Sequence, residues 1–163
     1  MKVIFLDIDG VLNSDSTSNP RKFPYVIDDM LLARFRELVR KTGATVVLSS
    51  TWRVDPIGLL AAKYYQVPYN DACPDMPGAP RCEEMQAWLR HHPEATRYAV
   101  LDDDDDCLDE LPLFQPSSKT GLTEEIAHGI EEFLAGRSDK DMRASAIVRL
   151  GQNIHSFFGR DKS

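Results

Sequence analysis

The sequence has no long apolar run. A membrane-spanning helix takes roughly 18 or more consecutive apolar residues, and no window of the 163-residue chain approaches that length. The first apolar stretch, Val3 to Leu6, ends at a carboxylate and is too short for the core of a signal peptide, so export is not expected. Cysteine is scarce: Cys73, Cys82 and Cys107 include no C-x-x-C pair. Neither a disulfide framework nor a zinc knuckle is indicated; the three are read as ordinary small residues, and a reducing cytoplasm is the expected compartment. Positive charge is also short, with 19 basic against 26 acidic residues and a formal net charge of -7. That balance argues against non-specific coating of nucleic acid or of an anionic membrane, and leaves room for a small basic pocket around one phosphate. There is no internal repeat and no linker long enough to divide domains.

What is present suits one compact domain: 42% hydrophobic and 28% charged residues are ordinary for a globular chain of this length. Val3 to Leu6 reads as a buried strand that delivers Asp7, Asp9 and Gly10 at its C-terminal edge. The Ser-, Asn- and Pro-rich segment 13–24 reads as a loop or small hairpin flap. Asp28 can cap a helix carrying Leu31, Leu32, Phe35, Leu38 and Val39, which Gly43 stops. A second strand, Thr45 to Leu48, ends in Ser49, Ser50, Thr51, Trp52 and Arg53, and Ile57, Leu60, Ala61 and Tyr64 mark the next helix. Four prolines make 67–80 irregular, with a short strand near Val67 to Tyr69. A helix from about Arg81 to His91 precedes a strand, Tyr98 to Leu101, which ends in the acids Asp102 to Asp106. Leu111 to Phe114 suggests an edge strand, and Gly121-Leu122-Thr123 opens a helix with Glu124 and Glu125 favourably in its first turn. From Asp139 an amphipathic pattern through Met142, Ile147, Leu150, Ile154 and Phe158 predicts a C-terminal helix that packs on the domain or extends it. The β-α alternation predicts an α/β fold in which three strand ends converge on one polar edge.

Asp7 and Asp9 are two residues apart at a strand end, so one could attack an electrophile while the other handles protons. Adding Asp102 and Asp103 makes a site tolerable only around a hard, oxygen-preferring cation such as Mg²⁺. With that charge in place a carboxylate can attack phosphorus, while Ser49, Ser50 and a fixed cation, Arg53 or Arg81, hold the remaining oxygens. Blander readings stand beside these: Asp104 to Asp106 as a solvated loop, His91 and His92 as helix-end electrostatics, Trp52 as core packing or a substrate platform.

The segment Asp7-Ile8-Asp9-Gly10-Val11, Ser49 at its strand end, Arg81 opening a helix, and Asp102-Asp103 after Tyr98-Ala99-Val100-Leu101 follow the order of four motifs in the haloacid dehalogenase-like (HAD) superfamily, which the chain resembles over roughly residues 2–136. The resemblance implies a Rossmann-like three-layer sandwich with a mainly parallel sheet and a minimal cap or none, over residues 1–136, with 137–163 as the added helix. It implies a phosphomonoester hydrolase in which Asp7 forms an aspartyl-phosphate and Asp9 protonates the leaving oxygen, then activates water. Asp7, the main-chain carbonyl of Asp9 and one acid of the pair would hold Mg²⁺, with Asp103 as direct ligand and Asp102 behind it. Arg53 or Lys63 could fill the basic position in place of Arg81. More narrowly, the strings from Phe5 to Asn13, from Val47 to Arg53, and Gly121-Leu122-Thr123 resemble a HAD subgroup linked to RNA repair. An open site would admit a nucleic-acid end or a nucleotide, for which Arg21, Lys22, Arg53 and Arg81 are the candidate basic cluster. The alternative is a phosphate-recognition module that keeps the fold without turnover.

Overall fold

The computed structural model of the protein describes residues 1–105, 107–108 and 110–137. Five strands, β1 (Lys2–Leu6), β2 (Thr45–Leu48), β3 (Asp71–Ala72), β4 (Arg97–Leu101) and β5 (Leu113–Phe114), form one sheet in the order β3-β2-β1-β4-β5. Every pairing is parallel. Parallel strands need crossovers, and α1 (Asp29–Thr42), α2 (Pro56–Tyr64), α3 (Arg81–His91) and α4 (Glu124–Leu134) lie in the connections or follow the last strand.

Because successive side chains of a strand face opposite sides, the unbroken apolar run of β1 serves two cores. Ile4 and Leu6, with Val46, Leu48, Ala99 and Leu101, pack against Phe35 and Leu38 of α1, Ala62 of α2, and Ile130 and Leu134 of α4. Val3 and Phe5, with Val47 and Val100, meet Met85 and Trp88 of α3 on the opposite face. The Phe5 and Trp88 rings meet edge to face at 5.6 Å. Each such fully buried side chain contributes about 2–3 kcal/mol of apolar burial. The result is the three-layer, Rossmann-like sandwich that the sequence predicts, without a separate cap layer among the described residues.

Local chemistry sets the helix limits. The Asp28 carboxylate accepts from the Met30 and Leu31 amides, and Gly43 ends α1 at φ 62°, a left-handed position that costs a glycine little. Asp55 caps α2 ahead of Pro56, and Thr123 caps α4. The flap at 13–24 is a series of turns without a hairpin.

Two strands differ from expectation. The third was expected near Val67 to Tyr69, yet the Val67 amide closes α2 by donating to the Ala62 carbonyl, and Pro68 has no amide to donate. Pairing with β2 begins only at Asn70, whose amide and side-chain oxygen both engage Val46, so β3 falls at Asp71–Ala72. β5 is shorter than the run from Leu111, because the Leu111 amide turns back to Leu108 and the ladder is resumed at the Pro112 carbonyl. The helix expected from Asp139 onward lies outside the described residues.

The reading of all three cysteines as ordinary small residues is corrected. Cys82, in the first turn of α3, and Cys107, beyond β4, form a disulfide with their Cα atoms 5.9 Å apart. Twenty-five residues separate them in sequence, a spacing with no local signature; only the fold brings α3 to the loop after β4. The cysteine count therefore no longer supports a reducing compartment. Cys73 is the buried small residue expected, with burial pushing its thiol up to about 12. No helix among the described residues is long and apolar enough to cross a membrane. By the chain-entropy account a disulfide closing such a loop is worth about 3 kcal/mol, so a dithiol reductant should lower the melting temperature by roughly 10 °C. Identical thermal melts with and without reductant would show that this cross-link does not hold the native state.

Candidate active site

In open α/β sheets a site forms beyond the carboxyl ends of the strands where the strand order reverses. Here the chain steps from β1 outward through β2 to β3, then returns to β4 and β5 on the other side of β1, so the reversal lies between β1 and β4. Asp7 follows the last residue of β1, and Asp102 the last of β4. The Asp7 amide donates to the Leu101 carbonyl at 2.9 Å, extending the ladder to the point where the two acids emerge.

Carboxylate oxygens of Asp7, Asp102 and Asp103 lie within 4.8 Å of one another. Asp7 is 5% exposed and Asp102 fully buried. Removing these groups from water disfavours their charged forms. Burial, reinforced by the Asp102 charge, pushes Asp7 up to about 7, against the opposing pull of Arg81, the Ser50 hydroxyl and the Ile8 amide. Asp102 and Asp103 are also raised, in both cases chiefly by burial.

Arg81, the first residue of α3, supplies the compensating charge. Its Nη1 donates to Asp102 Oδ2 and lies 3.7 Å from Asp7 Oδ1. The other Asp102 oxygen accepts from the Asp104 amide at 3.0 Å, so both are engaged. Asp103 lies against Gly10. A Cβ at Gly10 would sit 2.0 Å from Asp103 Oδ2, and the φ of +68° also favours glycine, so the third acid can approach only because this residue has no side chain.

Ser49 and Ser50 follow β2, and both amides donate to the Leu6 carbonyl. Both are fully buried. The Ser49 hydroxyl is the one buried side-chain polar atom without a hydrogen-bond partner among the described residues. Leaving it so costs about 1–3 kcal/mol, which an oxygen-bearing ligand could recover. The Ser50 hydroxyl accepts from the Trp52 amide and helps to hold the Asp7 carboxyl down.

Asp9 is exposed, but its carboxylate is fixed at both ends. Oδ1 accepts from Asn13 Nδ2 at 2.8 Å, and Oδ2 accepts from the Trp52 indole at 2.8 Å. Asn13 is itself held by the Gly10 amide and the Val26 carbonyl. Trp52 is 1% exposed, and the Tyr25 ring meets it edge-on at 4.9 Å. The choice between core packing and a substrate platform was thus incomplete, since Trp52 is a core residue whose one polar atom serves the site. Asn13 was not singled out in the sequence. The available signal was that a buried indole needs an acceptor and that Asp9 is the acid two residues past the strand end.

Of the residues expected at the site, Asp7, Ser50, Arg81, Asp102 and Asp103 are brought together, with Asp9 and Ser49 on the adjoining loops. The Arg53 guanidinium is directed at main chain and Glu84 rather than at the acid cluster. It donates to the carbonyls of Ser49, Ser50 and Cys73 at 2.6, 3.0 and 3.1 Å and pairs with Glu84. With both side chains nearly buried, this pair ties the loop after β2 to α3. Arg21 and Lys22 are exposed on the flap.

A family model described as "HAD domain in Swiss Army Knife RNA repair proteins" matches residues 3–127, which include every residue of the acid cluster and the Asp9 clamp. No curated protein and no solved structure matches the chain. The matched span covers most of the sequence and ends within α4, so the parallel sheet and its acid edge are both inside it. The chain belongs to the family of HAD domains found in Swiss Army Knife RNA repair proteins, a membership that suggests phosphohydrolase-type function.

Proposed function

We propose that the protein is a Mg²⁺-dependent phosphomonoester hydrolase that works through an aspartyl-phosphate on Asp7 and acts on phosphorylated nucleic-acid ends or nucleotides. The observation that carries this reading is the meeting of Asp7, Asp102 and Asp103 under one guanidinium at the sheet's reversal point. Asp7 attacks phosphorus, and the ester oxygen leaves with a proton from Asp9. Asp9, now a base, takes a proton from the water that cleaves the acyl phosphate and regenerates Asp7. Arg81 and the Ser49 hydroxyl bind the non-reacting phosphoryl oxygens, while Arg53 maintains the loop that carries the serines.

Three carboxylates against one guanidinium leave an excess of negative charge, and an all-oxygen donor set suits a hard divalent cation. Asp7, Asp103 and the main-chain carbonyl of Asp9 would hold Mg²⁺, with Asp102 behind them because Arg81 and the Asp104 amide already occupy its oxygens. When bound, the ion supplies positive charge that keeps Asp7 ionised and screens its approach to a phosphate. The clamp on Asp9 favours turnover over mere phosphate recognition, since a recognition module has no use for an oriented acid. The absence of a cap layer among the described residues suits a phosphate carried on a bulky chain, in keeping with the description of the family.

Asp7→Asn should lower phosphate release from an aryl phosphate by on the order of 10³-fold or more, and chelation should do the same to the unaltered protein; turnover persisting in both would sink the assignment. A second expectation concerns stability without divalent metal. Asp7 has an ordinary value of 3.8 and a native value of about 7, so between these pH values the native state holds more protons than the unfolded chain, and stability falls as pH rises. Above pH 7 the cost is of order 4 kcal/mol. Asp7→Asn should therefore melt higher than the parent at pH 8, with the gap closing as pH falls towards 4. Thermal melts across that range check this, and a pH-independent difference would contradict it.

Trp52→Phe keeps an aromatic ring, though a smaller one, and loses the indole N–H. If that N–H aims Asp9 at the leaving oxygen, alkyl phosphates, which need protonation to leave, should lose roughly 10–100-fold in kcat, and a nitrophenyl ester distinctly less. Equal losses across leaving groups would indicate a packing defect instead.

A further inference from the structure

The described residues leave few large apolar side chains exposed, and four of them, Phe23, Ile57, Leu60 and Tyr64, are each more than half exposed on the walls of one groove. The groove, of about 540 Å³, runs between the flap and α2. Its aromatic surface comprises Phe23, Tyr25, Tyr64 and Tyr65, with Tyr64 82% exposed. A soluble domain gains nothing from aromatic faces held in water unless something covers them.

Two features identify the occupant. The first is charge. Arg21 lines the groove, and Lys22 and Lys63 are chain neighbours of lining residues. None of the three forms an ion pair or donates a side-chain hydrogen bond among the described residues, a state shared there only by Arg90 and Lys119, whereas Arg34, Arg36, Arg40, Lys41, Arg53, Arg81, Arg97 and Arg137 each engage a carboxylate or a carbonyl. The acid nearest in chain, Asp55, is already taken up by the Tyr25 hydroxyl at 2.5 Å and by the Ile57 amide at 2.7 Å. The second is continuity with the site. Tyr25 forms a groove wall and also packs against Trp52, whose indole holds Asp9, so the groove begins one ring away from the acid clamp.

We propose that this groove is a stacking subsite for the unpaired bases of a single-stranded polynucleotide whose terminal phosphate lies at Asp7. Flat rings accept any base face, and the unpaired cations match the phosphates between bases; this combination binds single strands in a chain whose net charge forbids general affinity. A helical peptide would use the apolar walls and leave the cations without partners. The inference rests on the phosphohydrolase reading and narrows its substrate to strands over free mononucleotides, because the groove extends away from the clamp along α2.

The test is equilibrium binding, by fluorescence anisotropy in the presence of chelator so that no phosphate is lost. The probes are a labelled single-stranded RNA hexamer with a phosphate at the 3′ or the 5′ end, and an abasic strand of the same length and charge. The unaltered protein should bind at least one base-bearing strand more tightly than the abasic one. Tyr64→Ala and Phe23→Ala, both at exposed positions, should weaken base-bearing strands by about 5–100-fold and leave the abasic strand and the release of phosphate from glycerol phosphate unchanged. Equal binding of base-bearing and abasic strands, or unaltered binding by both variants, overturns the subsite. So does concentration-dependent self-association that Tyr64→Ala abolishes, since a second copy would then be the occupant. If no ester of any kind releases phosphate, the hydrolase reading fails while the binding comparison still reports on the groove; if glycerol phosphate turns over and the strands bind alike, the groove alone is misassigned.

Discussion

Placing Asp7 and Asp102 side by side at the end of a parallel sheet costs free energy that nothing in the apolar core returns, and the surrounding structure is organised around containing that cost. Arg81 pairs with Asp102 and approaches Asp7, Ser50 and the Ile8 amide pull the Asp7 carboxyl down, and the Asp104 amide takes the other oxygen of Asp102. Even so, Asp7 remains far above an ordinary carboxyl group. A raised carboxyl group buried at a sheet's reversal point marks the cluster as a candidate functional site. Arg53 and Glu84 show the contrasting solution: also buried, but matched to each other and to main-chain carbonyls, and so free to act as a scaffold.

Much of this could be read from the chain because parallel strands are buried on both faces. Val3 to Leu6, Thr45 to Leu48 and Tyr98 to Leu101 are largely apolar runs that end abruptly in polar groups, and the ends of those runs carry the candidate site residues. The helix limits at Asp28, Gly43 and Thr123 were legible for a similar reason, since capping is local chemistry. The short outer strands were less so: two residues of β3 and two of β5 have no periodicity of their own and are positioned by Asn70 and Pro112 against neighbours remote in sequence. The same holds for partners. No spacing rule joins Cys82 to Cys107 or directs Arg53 to Glu84, and an arginine behind a strand-end serine looks equally suited to a substrate or to a carbonyl until the fold decides.

The Asp9 clamp bears on how an exposed acid can be held in one orientation. Both of its donors are neutral, so they orient the carboxylate without adding charge to a region that Arg81 already serves. Asn13 is set by main chain within the same loop, whereas Trp52 is set by the core, with Gly58 leaving no room for a side chain between α2 and the Trp52 backbone. The position of an exposed acid is thereby tied to the packing of the interior.

The strand order has a consequence for how the molecule comes into being. β1 and β4 lie side by side in register, Lys2 opposite Arg97 and Leu6 opposite Leu101, although most of the domain separates them in sequence. A pairing so distant closes a large loop before it gains any contact, and such contacts form slowly. During synthesis the N-terminal strand can pair with β2 early, but Asp7 acquires Arg81 and Asp102 only after the chain has been made past β4. The half of the sheet that emerges first therefore carries a strand edge awaiting its partner, the kind of surface that recruits other chains. Pairing β4 with β1 and assembling the acid cluster are one event, so the cluster cannot form in a newly made molecule before that edge of β1 is covered.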